Sequence, residues 1–242
     1  MGLWPFSKKI ETIGESQLSV GLTDWHSHIL PGVDDGFQTM EDSLEALDFM
    51  EKLGVRNLWL TPHIMEDYPN ETDFLKQRFA DLQKEYKGKI KLHLAAENML
   101  DSLFEERMEK NDFLPIGDSG RFLLVETSYF NPPINMERIL EEIKAKGYYP
   151  LLAHPERYRY MDENDYIRLK DLGVLFQANY FSVVGAYGNT ARKKLDWLLK
   201  KGMIDVIGSD LHKLKVLKNV LESSPLKKQS LEILKTLKNP TV

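Results

Sequence analysis

The sequence predicts an α/β fold in which seven parallel strands alternate with helices around a barrel. Short apolar runs alternate with amphipathic helical patterns from one end of the 242-residue chain to the other, which is typical of repeated βα units. The length fits one such domain, and no apolar stretch of about 18 residues offers a membrane span. We therefore expect an N-terminal extension over residues 1–20 and a single barrel domain over residues 21–242.

The strands are predicted from apolar runs that are too short for helices. Each run is followed by an amphipathic stretch, so consecutive runs are expected to lie parallel in one sheet. The predicted strands cover residues 22–26, 57–61, 90–95, 122–126, 149–153, 174–178 and 204–208.

The helices between the strands are predicted from amphipathic spacing and from residues typical of helix ends. Three of them, 41–53, 136–146 and 190–201, are each followed by a glycine, where a left-handed residue closes many helices. Asn70 and Thr72 are predicted N-caps of a helix that ends near residue 86. A last helix is predicted over residues 226–237.

Composition and charge exclude several classes of function. The chain has no cysteine, which removes disulfides, thiolate metal ligands and a cysteine nucleophile. Its net charge of −5 argues against a nucleic-acid partner, since such surfaces are usually basic. Residues 1–9 lack the features of a secretion signal, so we expect a cytoplasmic protein without stable membrane insertion. Trp4 and Phe6 could touch a membrane surface or belong to a frayed terminus.

Histidines and carboxylates follow the ends of six of the seven predicted strands. Barrel enzymes assemble their sites at the C-terminal ends of the strands, where each loop can supply one group to a shared centre. Only the sixth strand lacks a charged or imidazole group there, and it offers Asn179. The groups at the other strand ends are Asp24, His26, His28, Asp34, Asp35, His63, Glu97, Glu126, His154, Asp210 and His212.

The spacing of these groups predicts a metal site. Alternate residues of a strand share a face, so His26 and His28 can both point inward. Imidazole together with carboxylate suits Mn²⁺, Fe²⁺ or Zn²⁺. Five histidines and four carboxylates exceed what one ion needs, which predicts two or three ions. The residues alone do not choose between Asp34 and Asp35 as the ligand from that loop.

Two further residues are assigned to supporting positions. A single histidine near a strand end is more often structural than a ligand. Five of the chain's six histidines lie at strand ends, however, and coincidence is a poor explanation for that placement. His93, inside the third predicted strand, is expected in the core or behind a ligand. Asp24 is expected to orient an imidazole rather than bind an ion.

The motifs resemble those of the polymerase and histidinol phosphatase (PHP) family of metal-dependent hydrolases, whose first motif is the HxH seen here as His26 and His28. More narrowly, four segments resemble bacterial PHP protein tyrosine phosphatases, which act in capsule and exopolysaccharide synthesis opposite membrane-associated tyrosine kinases. The segments are DWHSHILPGVDDG at 24–36, TPH ending at His63, LLAHPERY around His154 and IGSDLH ending at His212.

The resemblance implies a distorted seven-stranded, TIM-like barrel and a site for three metal ions, often manganese. The expected cofactors are thus two or three divalent ions, Mn²⁺ first, with Fe²⁺, Zn²⁺ or Mg²⁺ as alternatives. The resemblance also implies that Arg157 binds the phosphate. Independently of the resemblance, Tyr158, which lies just beyond the fifth predicted strand, is expected at the substrate. A second arginine is expected after the last motif, but the chain has Lys213, Lys215 and Lys218 there. The implied ligands are His26, His28, Asp35, His63, Glu97, Glu126, His154, Asp210 and His212.

The expected activity is hydrolysis of phosphotyrosine by a hydroxide that bridges the ions, with a membrane-associated tyrosine kinase as the protein substrate. A small-molecule phosphatase such as a histidinol phosphatase, or a catalytically silent scaffold, remains an alternative. An amidohydrolase often has a carboxylated lysine where this chain has Glu126, and a nuclease is disfavoured by the acidic balance. Six aromatic residues beyond the strand ends could stack on a phenol ring or fill the rim: Tyr129, Phe130, Tyr158, Tyr160, Tyr180 and Phe181.

Overall fold

The computed structural model describes residues 11–225 and 227–239, and in that part of the chain it confirms the α/β fold. Its strands are all parallel and form a three-stranded sheet, in the order β1-β2-β4, and a six-stranded sheet, in the order β3-β5-β6-β7-β8-β9. The strands are β1 (Thr23–Asp24), β2 (Asn57–Leu60), β3 (His63–Ile64), β4 (Lys91–Leu94), β5 (Glu97–Met99), β6 (Phe122–Glu126), β7 (Tyr149–Ala153), β8 (Leu175–Asn179) and β9 (Val206–Gly208).

The two sheets form one barrel, because β2 runs on into β3 and β4 runs on into β5. We call each of its seven walls a stave, which is either one strand or two consecutive strands in line. The ring closes between its first and last staves. There the Trp25 amide donates to the Ile207 carbonyl at 3.2 Å, and the Asp210 amide donates to the His26 carbonyl at 2.8 Å. The predicted number of staves is therefore confirmed.

The second and third staves are broken, which the sequence did not predict. Pro62 has no amide hydrogen to continue the ladder beyond β2. The Ala96 amide donates to the Leu114 carbonyl at 3.2 Å instead of to a neighbouring strand. After the breaks, β3 and β5 pair with each other so that His63 lies opposite Glu97. The breaks thus set the positions of two predicted site residues.

The helices pack around the outside of the barrel. Predicted ends fall within two residues of the observed ones, but three helices were not predicted: α3, α5 and α7. Two of these begin with an aspartate cap, Asp101 and Asp162, whose side chains accept from backbone amides of the first turn. The helices are α1 (Met40–Lys52), α2 (Thr72–Glu85), α3 (Ser102–Lys110), α4 (Met136–Ala145), α5 (Glu163–Asp171), α6 (Asn189–Lys200), α7 (Leu214–Glu222) and α8 (Lys228–Thr236).

The predicted caps of α2 are wrong. The helix begins at Thr72 after Glu71, whose side chain makes no capping hydrogen bond. Asn70 instead donates to the carbonyls of Val33 at 2.8 Å and His63 at 2.9 Å. It therefore ties two loops of the barrel end together. No helix in the described ranges is both long and apolar enough to cross a membrane.

Residues 11–20 pack as part of the barrel domain. Ile13 and Leu18 are buried in the main core, and the Ile13 amide donates to the Ser223 carbonyl at 2.9 Å. The predicted boundary at residue 20 therefore falls inside packed structure. Trp4 and Phe6 lie outside the described residues.

A small apolar cluster fills the barrel interior. Leu124 lies two residues before Glu126 and so shares its inward face. His93 stacks on Trp59 in this region, with ring centroids 4.5 Å apart. It makes no contact with a predicted ligand, so of its two expected places the structure supports packing against the core rather than a position behind a ligand. The cluster consists of Trp25, Trp59, Ala95, Ile116, Leu124, Leu151, Ala153 and Val206.

Gly208 provides a test of the barrel closure. A Cβ there would lie 2.5 Å from the His26 Cβ and 2.8 Å from the His26 amide nitrogen, so backbone would have to shift. We expect Gly208→Ala to lower the free energy of unfolding in urea by about 3 kcal/mol. Gly202→Ala is the control, because Gly202 has φ +66° and open space at its Cβ. It should lose only about 1 kcal/mol. Equal losses would contradict the close approach.

Candidate metal centre

The structure brings all nine predicted ligands together at the C-terminal end of the barrel. They form four overlapping groups, and within each group the candidate ligand atoms lie within 4.8 Å of one another. The groups are His28, Asp35, His63 and His212; His26, His28 and Asp210; His26, Glu97 and His154; and His63, Glu97 and Glu126.

Glu97 lies at the centre of the cluster and is fully buried. Its Oε2 is 3.1 Å from His26 Nε2, 3.1 Å from His63 Nδ1 and 3.3 Å from His28 Nε2. Its Oε1 is 3.0 Å from His154 Nε2. One carboxylate therefore faces four imidazoles from three different staves.

The two aspartates after the first strand have different surroundings. Asp35 is half-exposed, and its Oδ1 lies 3.5 Å from His63 Nε2 and 3.3 Å from His212 Nε2. Asp34 is buried, and its Oδ2 lies 2.8 Å from His28 Nδ1. Asp35 thus faces the cluster, while Asp34 orients a histidine from behind.

Asp210 joins the cluster to its supporting residues. Its Oδ1 lies 3.4 Å from His28 Nε2. Its Oδ2 accepts from Arg157 Nη1 at 2.6 Å and from Asn179 Nδ2 at 2.7 Å. Gln177, which the sequence analysis missed, donates to Asn179 Oδ1 at 3.0 Å. The signal for this amide was its position two residues before Asn179, on the same face of the strand.

Gln177 also holds His26, because its Oε1 lies 2.7 Å from His26 Nδ1. That contact leaves Nε2 of His26 directed at the cluster. Asp24 was expected to act in this way and does not. Its Oδ1 accepts from the amides of Ser209 at 2.8 Å and His26 at 3.3 Å, so it joins backbone rather than an imidazole. Burial raises the pKa of Asp24 to about 6, although these hydrogen bonds act to lower it.

Two candidate ligands have strained backbone. His154 has φ +33° and Asp210 has φ +54°, both in the left-handed region that non-glycine residues rarely adopt. Such conformations persist where the surrounding structure holds them, and they concentrate at functional sites. Here each follows the end of a strand and aims its side chain at the cluster.

The charges of the cluster depend strongly on one another. Burial alone would lower the pKa of His26, but the carboxylates of Glu97 and Asp210 outweigh it and raise that pKa to about 9. Burial alone would raise the pKa of Glu97, but His26 and His63 hold it well below its usual value. Both shifts favour the charged forms, so the His26 imidazolium and the Glu97 carboxylate stabilise each other in the protein alone.

Several buried atoms of the cluster lie close together without hydrogen-bonding to one another. His63 Nδ1 lies 2.9 Å from Glu126 Oε1, yet neither atom makes a hydrogen bond of acceptable geometry within the described residues. Glu97 Oε2 is also buried without one. Buried polar atoms without partners are costly, whereas converging nitrogen and oxygen lone pairs fit a divalent cation. The residues present therefore fit the predicted metal.

Arg157 lies at the edge of the cluster between two tyrosine rings. Its guanidinium carbon is 4.3 Å from the ring centroids of both Tyr129 and Tyr187. The side chain is 19% exposed, so part of it remains open to a ligand. Stacking on both faces and the bond to Asp210 fix the plane of the guanidinium.

The structure places Tyr158 differently from its expected contact with substrate. Tyr158 is fully buried, and its hydroxyl accepts from the Thr127 amide at 3.2 Å. Tyr180 and Phe181 are also buried and fill the rim. Of the six predicted rim aromatics, only Phe130 is largely exposed, at 59%. The expectation failed because sequence position locates a strand end but not the direction of a side chain in the following loop.

Comparison with known proteins agrees with this geometry. Residues 22–225 match the family model described as capsular polysaccharide synthesis, CpsB/CapC. The tyrosine-protein phosphatase YwqE of Bacillus subtilis is 30% identical over 80% of this chain and 78% of its own length. The tyrosine-protein phosphatase CpsB of Streptococcus pneumoniae is 30% identical over 80% of this chain and 84% of its own.

A solved structure extends the likeness to the fold. It comes from work on YwqE of Bacillus subtilis and CpsB of Streptococcus pneumoniae, described as unique metal-dependent tyrosine phosphatases. It is 25% identical, with a TM-score of 0.76, over 89% of this chain and 91% of that one. The resemblance drawn from the sequence motifs is confirmed, and this chain belongs to the CpsB/CapC family of capsular polysaccharide synthesis.

Proposed function

We propose that this chain is a metal-dependent protein tyrosine phosphatase that hydrolyses phosphotyrosine by direct attack of water-derived hydroxide on phosphorus. The observation that carries the proposal is the convergence of five imidazoles and four carboxylates, with the buried Glu97 at their centre. The curated relatives of the family support it, because they are tyrosine-protein phosphatases. A cysteine-dependent mechanism is excluded, since the chain has no cysteine.

The nine residues of the cluster would hold two or three divalent ions, with Mn²⁺ proposed and Fe²⁺, Zn²⁺ or Mg²⁺ as alternatives. Bound ions supply activated water at neutral pH and offset the charge of the phosphoryl oxygens. Asp34 and Gln177 engage the Nδ1 atoms of His28 and His26, so that each Nε2 is free to act as a ligand.

Arg157 would bind the phosphoryl group. Its guanidinium is held flat between Tyr129 and Tyr187 and presents donors in a fixed plane, which suits phosphate oxygens. The leaving phenolate has a parent pKa of about 10, so it needs little acid assistance. Lys213, which lines a small cavity together with His212, would supply a point charge where a second arginine was expected.

The proposed substrate is a tyrosine-phosphorylated protein of capsule or exopolysaccharide synthesis, and specifically a membrane-associated tyrosine kinase. The description of the family supports the pathway, and the names of the relatives support the phosphotyrosine. Tyrosine phosphorylation consumes ATP, so we place the reaction in the cytoplasm.

Removal of metal tests the proposal directly. We expect excess chelator to lower turnover of a phosphotyrosine peptide by about 10²-fold or more, because no side chain can replace the ions in activating water. Added Mn²⁺ should restore it. Thiol alkylation is the control and should have no effect. Full activity in excess chelator would refute a metal-dependent mechanism.

Proton release should accompany metal binding. His26 has a pKa of about 9 in the protein alone, so it is protonated at pH 7 and must lose that proton before it can be a ligand. Metal affinity should therefore rise with pH up to about 9. Calorimetry of metal binding at pH 7, in two buffers of different ionisation enthalpy, should give different apparent binding enthalpies. The difference should correspond to the release of at least one proton per chain. The same enthalpy in both buffers would contradict this account.

Substitution of Arg157 tests its role at the phosphate. Arg157→Ala should lower kcat/KM by about 10²- to 10³-fold, and Arg157→Lys should recover only part of the loss, because lysine lacks the planar fork. Metal content should stay unchanged in both. Arg121→Ala is the control, since Arg121 stacks on Tyr149 at the other end of the barrel. If Arg157→Ala lost metal in proportion to activity, Arg157 would serve only to hold Asp210.

A further inference from the structure

A segment beside the metal centre exposes large apolar side chains. We call residues 128–135, between β6 and α4, the rim loop. Phe130 is 59% exposed and Ile134 is 86% exposed. Exposure of one large apolar side chain is common, but exposure of two within one eight-residue loop is a reason to examine the loop as an interaction site.

The backbone of the rim loop is anchored at both ends. The Tyr129 carbonyl accepts from the Arg159 amide at 2.8 Å, and Met136, which begins α4, is buried. Arg159 also stacks on Phe130, with its guanidinium carbon 4.9 Å from the ring centroid. The exposed side chains are therefore presented from a supported loop.

The rim loop is continuous with the metal centre. It begins two residues after Glu126, and the Tyr129 ring centroid lies 5.6 Å from that of His154. The Tyr129 ring also stacks on the guanidinium of Arg157. The rim loop is therefore within reach of the residues that flank a phosphotyrosine whose phosphoryl group lies at the cluster.

A cavity of about 550 Å³ lies on the far side of the rim loop, between the loop and α5. Tyr160 connects its wall to the centre, because its hydroxyl lies 2.6 Å from Oγ1 of Thr127, the residue after Glu126. The apolar part of the wall is formed by Pro132, Pro133, Met136, Tyr160, Met161 and Leu169.

The charges around this cavity are already paired. Arg168 lies 2.6 Å from Glu137 through Nε and 2.8 Å from Asp165 through Nη2. Arg138 lies 3.2 Å from Glu105. Each of these charged groups has a partner of opposite sign, although two carboxylates share the Arg168 guanidinium, so the apolar side chains are the part of the wall without a partner. An uncharged, apolar side chain fits the cavity best.

We propose that the rim loop and this cavity bind the residues that flank phosphotyrosine in the protein substrate, and that they favour a flanking residue with a large apolar side chain. The inference rests on the proposed tyrosine phosphatase function and adds substrate selection to it. The occupant is a segment of the substrate, rather than a second copy of this chain.

Two phosphotyrosine peptides test the proposal. They are identical except that one carries leucine, and the other serine, at the second and third positions on each side of the phosphotyrosine. The wild-type metal-loaded protein should show kcat/KM about tenfold higher for the leucine peptide. Phe130→Ser and Ile134→Ser should each reduce that ratio, and the double variant should bring it below about twofold. Turnover of p-nitrophenyl phosphate in each preparation normalises for active enzyme.

Ile167→Ser is the matched control. Ile167 is 43% exposed on α5 but belongs neither to the rim loop nor to the cavity wall, so its replacement should leave the peptide ratio unchanged. A wild-type protein that turns over both peptides equally would overturn the inference while leaving the phosphatase function intact. Rim-loop variants that alter the oligomeric state in sedimentation but keep the peptide ratio would also overturn the inference. Hydrolysis of p-nitrophenyl phosphate but of neither peptide would instead overturn the proposed protein substrate.

Discussion

The structure depends on one buried carboxylate that faces four imidazoles. Glu97 is fully buried, and an isolated charge in such a place would cost many kcal/mol. Its cost is offset only while His26, His63 and His154 stay within about 3 Å, which requires several staves of the barrel to keep their register. Removal of one partner would leave the others buried and unpaired. The cluster therefore links the closure of the barrel to the chemistry of its site.

Several irregular features of the barrel are explained by this requirement. The breaks in the second and third staves bring His63 opposite Glu97, and left-handed backbone at His154 and Asp210 directs their side chains inward. Gly208 allows the last stave to approach His26 more closely than any side chain would permit. Regular strands and ordinary turns would be more stable locally. The irregular ones place donors where ions can share them.

The sequence predicted much of the fold and of the set of site residues. Strand ends were predictable because apolar runs stop there, and five histidines at such ends indicated one shared centre. The residues alone could not show whether Asp34 or Asp35 is the ligand, because two adjacent aspartates in a loop differ only in the direction of their side chains. The breaks after β2 and β4 depend on a missing amide at Pro62 and on a long-range bond from Ala96, and only the proline is visible in the sequence. Tyr158 was misplaced for the same reason as the aspartates, since its burial depends on the turn that carries it.

The metal content of purified protein is the measurement that tests the central claim most directly. Elemental analysis should be made on the wild-type chain and on Glu97→Gln, a substitution that preserves the shape of the side chain but removes its charge. The two proteins compared should have matching thermal unfolding curves. The account predicts two or three divalent ions per wild-type chain and a loss of at least one in the variant. Less than one ion per wild-type chain, or an unchanged content in Glu97→Gln, would contradict it.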